Sequence, residues 1–404
     1  MPSRISPGGF KPLEGTTLFK PLKMGHLELE HRVFMAPLTR MRAPKESDGI
    51  WVPGDINVEY YSQRASKGGF QLTEACPISR QACGYPGVPG IFTASQIAGW
   101  KRVTDAIHQK GGYIYCQLWH VGRATVNDLL DGQDALSASD IPISGNALTG
   151  APFAQTPPKA MTEAQIDETV KEFAAAAKRA LEAGFDGVEI HGANGYLLDQ
   201  FLHDNVNIRT DNYGGSIENR CRFPLAVVKA VTDAVGADKV GIRLSPYNYF
   251  QDTRDSNPNK NWAYLCEQLA AMPKENRLSY VHMVEPRFDE VLDEEAKMGS
   301  LEKETSSAKN SLKPFREILA KGDIKFVAAG NFNRDNALPK LDAGDSDAVI
   351  FGRWFIANPD LPKRLAEGLP LNEYDRSTFY GADPPTKGYV DYPFFEPGSK
   401  ELTA

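Results

Sequence analysis

Apolar runs of strand length recur along this chain, at 32–38, 71–78, 113–119, 187–190, 240–244, 280–284, 325–329 and 348–351. Most are apolar at nearly every position instead of alternately, the pattern of parallel strands buried on both faces. Helical patterns lie between them. The clearest covers 162–183, where Ile166, Val170, Phe173, Ala177 and Leu181 recur at helical spacing. Thr162 with Gln165 forms a capping box at its start, and Gly184 stands where a C′ glycine belongs. A second helix runs from Ser216 through Phe223, Val227, Val228 and Val231 to Gly236. A third opens at Thr93 with Gln96 and ends near Gly111 and Gly112. Eight strands each followed by a helix predict an α/β fold, a (β/α)8 TIM barrel, rather than an open sheet, which usually has fewer strands. Loose alternation around Met24 and Gly25 predicts a small N-terminal hairpin. The expected organisation is a single barrel domain over 1–404, with the hairpin at about 17–30, the barrel at about 31–370 and a C-terminal tail at about 371–404.

Two long insertions interrupt the rhythm, 120–161 after the third strand and 286–309 after the sixth. Both fall on the C-terminal face, where barrels keep their chemistry, so both are candidate lids. The second carries D-E-V-L-D-E-E-A and reads first as a solvated acidic loop. Composition narrows the setting. At 41% hydrophobic and 24% charged, the 404 residues match a soluble globular chain with a large core. A net charge of −7 without any Lys/Arg run makes nucleic acid and anionic membrane poor partners. Five scattered cysteines without a C-x-x-C pair argue against zinc or disulfide scaffolding and fit a reducing compartment. No apolar run reaches the roughly 18 residues of a membrane span, and residues 1–15 lack the apolar core of a signal peptide. The expected location is the cytoplasm.

In a barrel the last residues of each strand carry the chemistry. Strand one ends A-P-L-T-R, giving Thr39; strand three ends C-Q-L-W, giving Gln117 and Trp119; strand five ends G-I-R-L-S-P, giving Arg243. Strand four stops at His191, and Gly192 and Gly195 bracket a tight exit, so His191, Asn194 and Tyr196 are presented together. Two of them can donate to one oxygen, and the third holds a phenol proton. That set suits holding a carbonyl oxygen and protonating a neighbouring carbon. A strand-end histidine is also often a satisfied structural residue, and H-x-x-N alone does not separate the two. Strands seven and eight end A-A-G-N and F-G-R-W. Gly330 and Gly352 admit close approach of backbone N–H groups and Arg353 adds a bidentate charge, the pattern of a barrel phosphate site. A turn followed by a surface arginine is the plainer alternative. Lysine is absent from these strand ends, which argues against a Schiff-base aldolase; without H-x-H or clustered carboxylates, a metal hydrolase is disfavoured too. A phosphate, an arginine inside the barrel and a glutamine amide together suit a heteroaromatic cofactor, and flavin mononucleotide (FMN) meets those demands. No G-x-G-x-x-G follows any strand, which argues against a dinucleotide flavin.

The chain resembles the old yellow enzyme family of ene-reductases. The segments that carry the resemblance are R-V-F-M-A-P-L-T-R-M-R-A at 32–43, Y-Y-S-Q-R-A at 60–65, Q-L-W at 117–119 and E-I-H-G-A-N-G-Y-L-L at 189–198. They continue with R-T-D-N-Y-G-G-S-I-E-N-R-C-R-F at 209–223, G-I-R-L-S-P at 241–246, A-G-N-F at 329–332, G-R at 352–353 and R-S-T-F-Y at 376–380. The resemblance implies FMN held by Pro37, Thr39, Ala75, Gln117 and Arg243, with Ala329, Gly330, Asn331, Gly352 and Arg353 completing the set. It implies a substrate carbonyl bound by His191 and Asn194, with Tyr196 as proton donor. Trp119, Tyr85, Phe250 and Tyr380 match positions lining the family's substrate pocket. The implied reaction reduces the activated C=C bond of α,β-unsaturated aldehydes and ketones. Hydride comes from NADPH or NADH by way of flavin N5, and the proton comes from Tyr196. Phenols are expected as ligands, and the protein is expected as a monomer or homodimer.

Three departures stand out. Ala75 stands where many relatives carry glycine, Asn194 replaces the second histidine of some relatives, and 120–161 matches poorly. Two readings from other classes would keep the same pocket: a flavin-free isomerase or lyase acting on a phosphorylated substrate, and a non-catalytic binder.

Overall fold

The computed structural model describes residues 10–288 and 310–396. Eight parallel strands close on themselves: β1 (Val33–Met35), β2 (Phe70–Pro77), β3 (Tyr113–Trp119), β4 (Gly187–Gly192), β5 (Val240–Leu244), β6 (Tyr280–Val284), β7 (Lys325–Ala329) and β8 (Ala348–Phe351). Each pairs with its sequence neighbour, and β8 returns to β1. This is the expected (β/α)8 barrel, and the last four strands and β3 keep their expected bounds. β1 is shorter than its apolar run because Pro37 has no N–H to give a ladder. The register sets neighbours among the polar side chains inside the barrel: His191 lies opposite Arg243, Arg243 opposite His282, and Glu189 opposite Gln117.

The outer helices are α1 (Asp55–Gln63), α2 (Ala94–His108), α3 (Glu163–Glu182), α4 (Ile217–Val235), α5 (Pro258–Ala271), α6 (Lys313–Ala320), α7 (Arg334–Asp342) and α8 (Leu361–Glu367). Short helices at Leu197–Leu202 and Arg353–Ala357 follow β4 and β8. The capping box of α3 is reciprocal: Gln165 N–H donates to Thr162 Oγ1 (3.2 Å), and Thr162 N–H donates to Gln165 Oε1 (2.8 Å). Ile166, Phe173, Ala177 and Ala180 form its buried stripe, while Val170 and Leu181 flank it. After the helix Gly184 adopts φ +86°, and a Cβ there would lie 2.7 Å from Thr104 Oγ1.

The expected hairpin pairs Leu22–Met24 with Leu27–Leu29. Its apolar side chains Leu22, Met24, Leu27 and Leu29 pack on Phe34, Phe70, Tyr115 and Tyr280 at the N-terminal end of the barrel interior. Each such burial contributes about 1.5–3 kcal/mol. Two small strand pairs were not anticipated: Lys45–Ser47 with Ile50–Trp51, and, inside the first insertion, Leu136–Ser137 with Lys159–Ala160.

The C-terminal segment is bound to the barrel by three buried arginines. Arg40 donates to the carbonyls of Phe379 (3.0 Å), Thr378 (3.2 Å) and Gly388 (2.7 Å). Arg42 donates to Thr378 (2.6 Å), Pro385 (2.9 Å) and Lys387 (3.0 Å), and Arg64 donates to Tyr389 (3.1 Å) while lying over the Tyr60 ring. Beside them sits Glu74, whose carboxyl burial pushes up to about 7 against the opposing pull of Arg40 and Arg42. No helix among the described residues is long and apolar enough to cross a membrane.

Candidate active site

The C-terminal ends of the strands open into a cavity of about 420 Å³, within the ~300–1,000 Å³ of small-molecule and cofactor sites. Pro37 and Thr39 reach it just past β1, Ala75 from β2, Gln117 from β3 and Arg243 from β5. Ala329, Gly330 and Asn331 come from the end of β7, and Gly352 and Arg353 from the exit of β8. Every residue expected at the cofactor therefore borders one space. His191, Asn194, Tyr196, Tyr85, Phe250 and Tyr380 border it as well. Trp119 does not. It is 1% exposed and backs the two tyrosines, 5.3 Å from the Tyr85 ring and 5.0 Å from that of Tyr196.

The backbone is shaped for close approach. At the end of β7, Gly330 (φ +124°) and Asn331 (φ +55°) take successive positive φ values. A Cβ at Gly330 would lie 2.8 Å from the Glu285 Cβ, so a side chain has no place there. At Gly352 an added Cβ would meet only Leu38 and Ala36, at ordinary contact distances of 3.7 and 3.8 Å. Both of those border the cavity. That position is open on the cavity side, with room for a ligand group to approach the backbone.

Under the cavity floor lies a buried polar layer centred on Glu189. Its carboxylate accepts from Gln117 Nε2 (2.7 Å), Tyr280 Oη (2.9 Å) and His282 Nδ1 (2.9 Å). Burial alone would raise this carboxyl, but His282, Arg243 and Gln117 outweigh it and hold it below the ordinary range. A carboxylate only accepts, so the Gln117 atom facing it is the NH2 group. The amide oxygen and one N–H of Gln117 are left for the cavity. With the Arg243 charge alongside, this donor and acceptor set fits the polar edge of a flavin ring.

His191 is buried. Burial first, then the charges of Arg243 and His282, push its pKa well below 6.5. It is a neutral imidazole with a single N–H to donate, and its buried Nδ1 has no hydrogen-bond partner among the described residues. Its ring meets Tyr196 edge-on at 5.0 Å. Asn194 takes φ +57°. Its N–H donates to Ser245 Oγ (2.7 Å), its carbonyl accepts from Gln251 Nε2 (3.1 Å), and its Oδ1 accepts from Asn248 Nδ2 (3.1 Å). The Tyr196 hydroxyl lies 3.4 Å from that of Tyr85, whose pKa burial raises to about 12.

Several functional neighbours had no signal in the sequence. Ser245, Asn248 and Gln251 grip Asn194 from the loop after β5, and loop side chains follow no period that would announce their contacts. Leu148, from the first insertion, borders the cavity at 61% exposure, and Phe288 borders it from the start of the second. The acidic run of that second insertion lies outside the described residues.

The chain is similar to known flavin oxidoreductases. The chain matches the NADH:flavin oxidoreductase / NADH oxidase family over residues 17–372. It is 65% identical to the flavin oxidoreductase hxnT of Emericella nidulans, over 96% of this chain and 99% of that protein. It is 44% identical to 12-oxophytodienoate reductase 2 of Arabidopsis thaliana, over 95% and 97% of the two chains. Among solved structures, morphinone reductase matches with a TM-score of 0.83 at 41% identity, covering 97% of this chain and all of that one (100%). Morphinone reductase has also been solved with tetrahydroNAD. These relationships set aside both the flavin-free isomerase and the passive binder. The chain belongs to the old yellow enzyme family and is an FMN-dependent oxidoreductase that draws on NADH or NADPH.

Proposed function

We propose that the protein reduces the C=C bond of α,β-unsaturated ketones and aldehydes, binding the substrate oxygen between His191 and Asn194 and protonating the α-carbon from Tyr196. The observation that carries this reading is the convergence of three side chains on the cavity: a neutral imidazole, a carboxamide and a phenol. FMN, when bound, would supply the two-electron hydride chemistry that links a nicotinamide to the substrate. Gly330, Asn331, Gly352 and Arg353 would hold its phosphate, Thr39, Gln117 and Arg243 its ring, and Pro37, Ala75 and Ala329 would pack against it.

The remaining work belongs to the protein. As the β-carbon is reduced, negative charge grows on the carbonyl oxygen, and the donors from His191 and Asn194 strengthen against it. By analogy with oxyanion-hole deletions each is worth about 3 kcal/mol. A phenol, with an ordinary pKa of ~10, stays protonated at neutral pH and gives its proton only to a strongly basic carbon. Relatives named as reductases of 12-oxophytodienoate and morphinone support a ketone as the substrate class. Phenols would bind by placing their oxygen between the same two donors.

Anaerobic reduction of the holoenzyme by NADPH or NADH, followed by mixing with 2-cyclohexenone, tests the proposal. The oxidised spectrum is expected to return together with saturated ketone. If no enone restores it while phenols still bind, C=C reduction is not the activity.

A further inference from the structure

The geometry points to Asn248 as a positioning residue that decides which end of the Asn194 carboxamide faces the substrate oxygen; this rests on the oxyanion reading above. A carboxamide has a donor end and an acceptor end of nearly equal shape. Turned the wrong way, Asn194 would set a lone pair against the very oxygen it is meant to stabilise.

The direction is fixed by a chain of contacts that starts at an atom with one option. The Phe250 peptide N–H can only donate, and it lies 2.9 Å from the Asn248 side-chain oxygen. The other end of the Asn248 amide is therefore its NH2, and that end lies 3.1 Å from the Asn194 side chain. The atom of Asn194 that receives it must be the oxygen. What remains for the cavity, which Asn194 borders, is the Asn194 NH2.

Both asparagines are buried, 8% exposed at Asn194 and 2% at Asn248, so bulk water does not compete for these contacts. The backbone of Asn194 is fixed from the same loop by Ser245 and Gln251. With the main chain held, the amide torsion is the freedom left to control, and Asn248 controls it.

The test is Asn248→Asp in the flavin-loaded protein, with p-chlorophenol affinity read by calorimetry. Aspartate keeps the shape and still accepts from Phe250 but has no N–H to give, so Asn194 turns its NH2 away from the cavity. Affinity is expected to fall about 10–100-fold, the scale of trading a hydrogen bond to a charged group for a lone-pair clash. Protonating the new carboxyl restores a donor, so the deficit relative to wild type should shrink as the pH falls. Asn248→Ala, which frees the amide without reversing it, should lie between the two. In an Asn194→His background, where there is no amide to orient, Asn248→Asp should cost under about 3-fold. Wild-type affinity in Asn248→Asp, or an equal loss in the Asn194→His background, would overturn the inference. An Asn194→Ala variant separates the two ideas: if it binds phenol normally the oxyanion reading fails, and if it alone loses affinity only the role of Asn248 fails.

Discussion

Tyr196→Phe removes one oxygen and keeps the ring, which separates chemistry from packing. The ring neighbours, Trp119 and His191 at 5.0 Å and Tyr85 at 6.5 Å, pack against a phenylalanine equally well. The hydroxyl–hydroxyl approach to Tyr85, which the substitution removes, is long at 3.4 Å and weaker than an ordinary hydrogen bond of about 1 kcal/mol. Losing a positioned general acid, by contrast, slows a reaction by roughly 10²–10⁴, or about 3–5 kcal/mol of barrier. Tyr85 is poorly suited to take over, since burial makes its hydroxyl a still weaker acid. Stopped-flow measurement of each half-reaction is the assay. Oxidation of NADPH by the holoenzyme should change by less than about 2-fold, because no proton is delivered to a carbon there, while enone reduction should fall by the full range. A quinone acceptor, which needs no new C–H bond, should escape. Equal slowing of both halves would mean that the hydroxyl shapes the pocket and does not deliver the proton.

Arg353→Ala should purify folded but largely without flavin, because it removes the charge-assisted contact proposed for the flavin phosphate beside the open Gly352; full occupancy by absorbance would place the phosphate elsewhere. Glu74→Gln has a pH signature. Native Glu74 is pushed up to about 7 from 4.5, so between those values the folded state holds the proton that the unfolded state has lost. Wild type therefore loses stability as pH rises through that window, and the non-titrating glutamine does not. The stability of the variant relative to wild type, from urea unfolding, should rise by roughly 3 kcal/mol between pH 4 and pH 8. A flat difference would refute the placement of the titration at Glu74.

The barrel was legible because parallel strands buried on both faces leave near-continuous apolar runs, and strands such as β5 and β6 keep the bounds their runs suggest. β1 shows the limit, since Phe34 and Leu38 look alike in hydrophobicity and only Pro37 between them marks where the ladder stops. The cavity-facing set, including Gln117, Arg243 and Gly330, was legible because strand ends in this fold share one face. Its support was not. Asn248 meets Asn194 across 54 positions and Ser245 meets it across 51, and no local period encodes a contact between two loops. Trp119 shows another limit. It ends a strand as expected, yet Tyr85 and Tyr196 stand in front of it, and strand position alone does not say which of two aromatic rings is in front.

The arginines that bind the C-terminal segment set an order of events in the making of the protein. Arg40 and its acceptor on Gly388 are 348 positions apart. At ~5–20 residues per second, that carbonyl is synthesised roughly 17–70 s after the guanidinium. Through that interval three cations that finish 1–5% exposed have no carbonyls from this segment to meet. Phe379 and Tyr380, which border the cavity, do not yet exist. All eight strands can be present on the ribosome while the mouth of the site is still missing. A chain cut before residue 376 would lack the carbonyls that these arginines meet and the residues that finish the entrance.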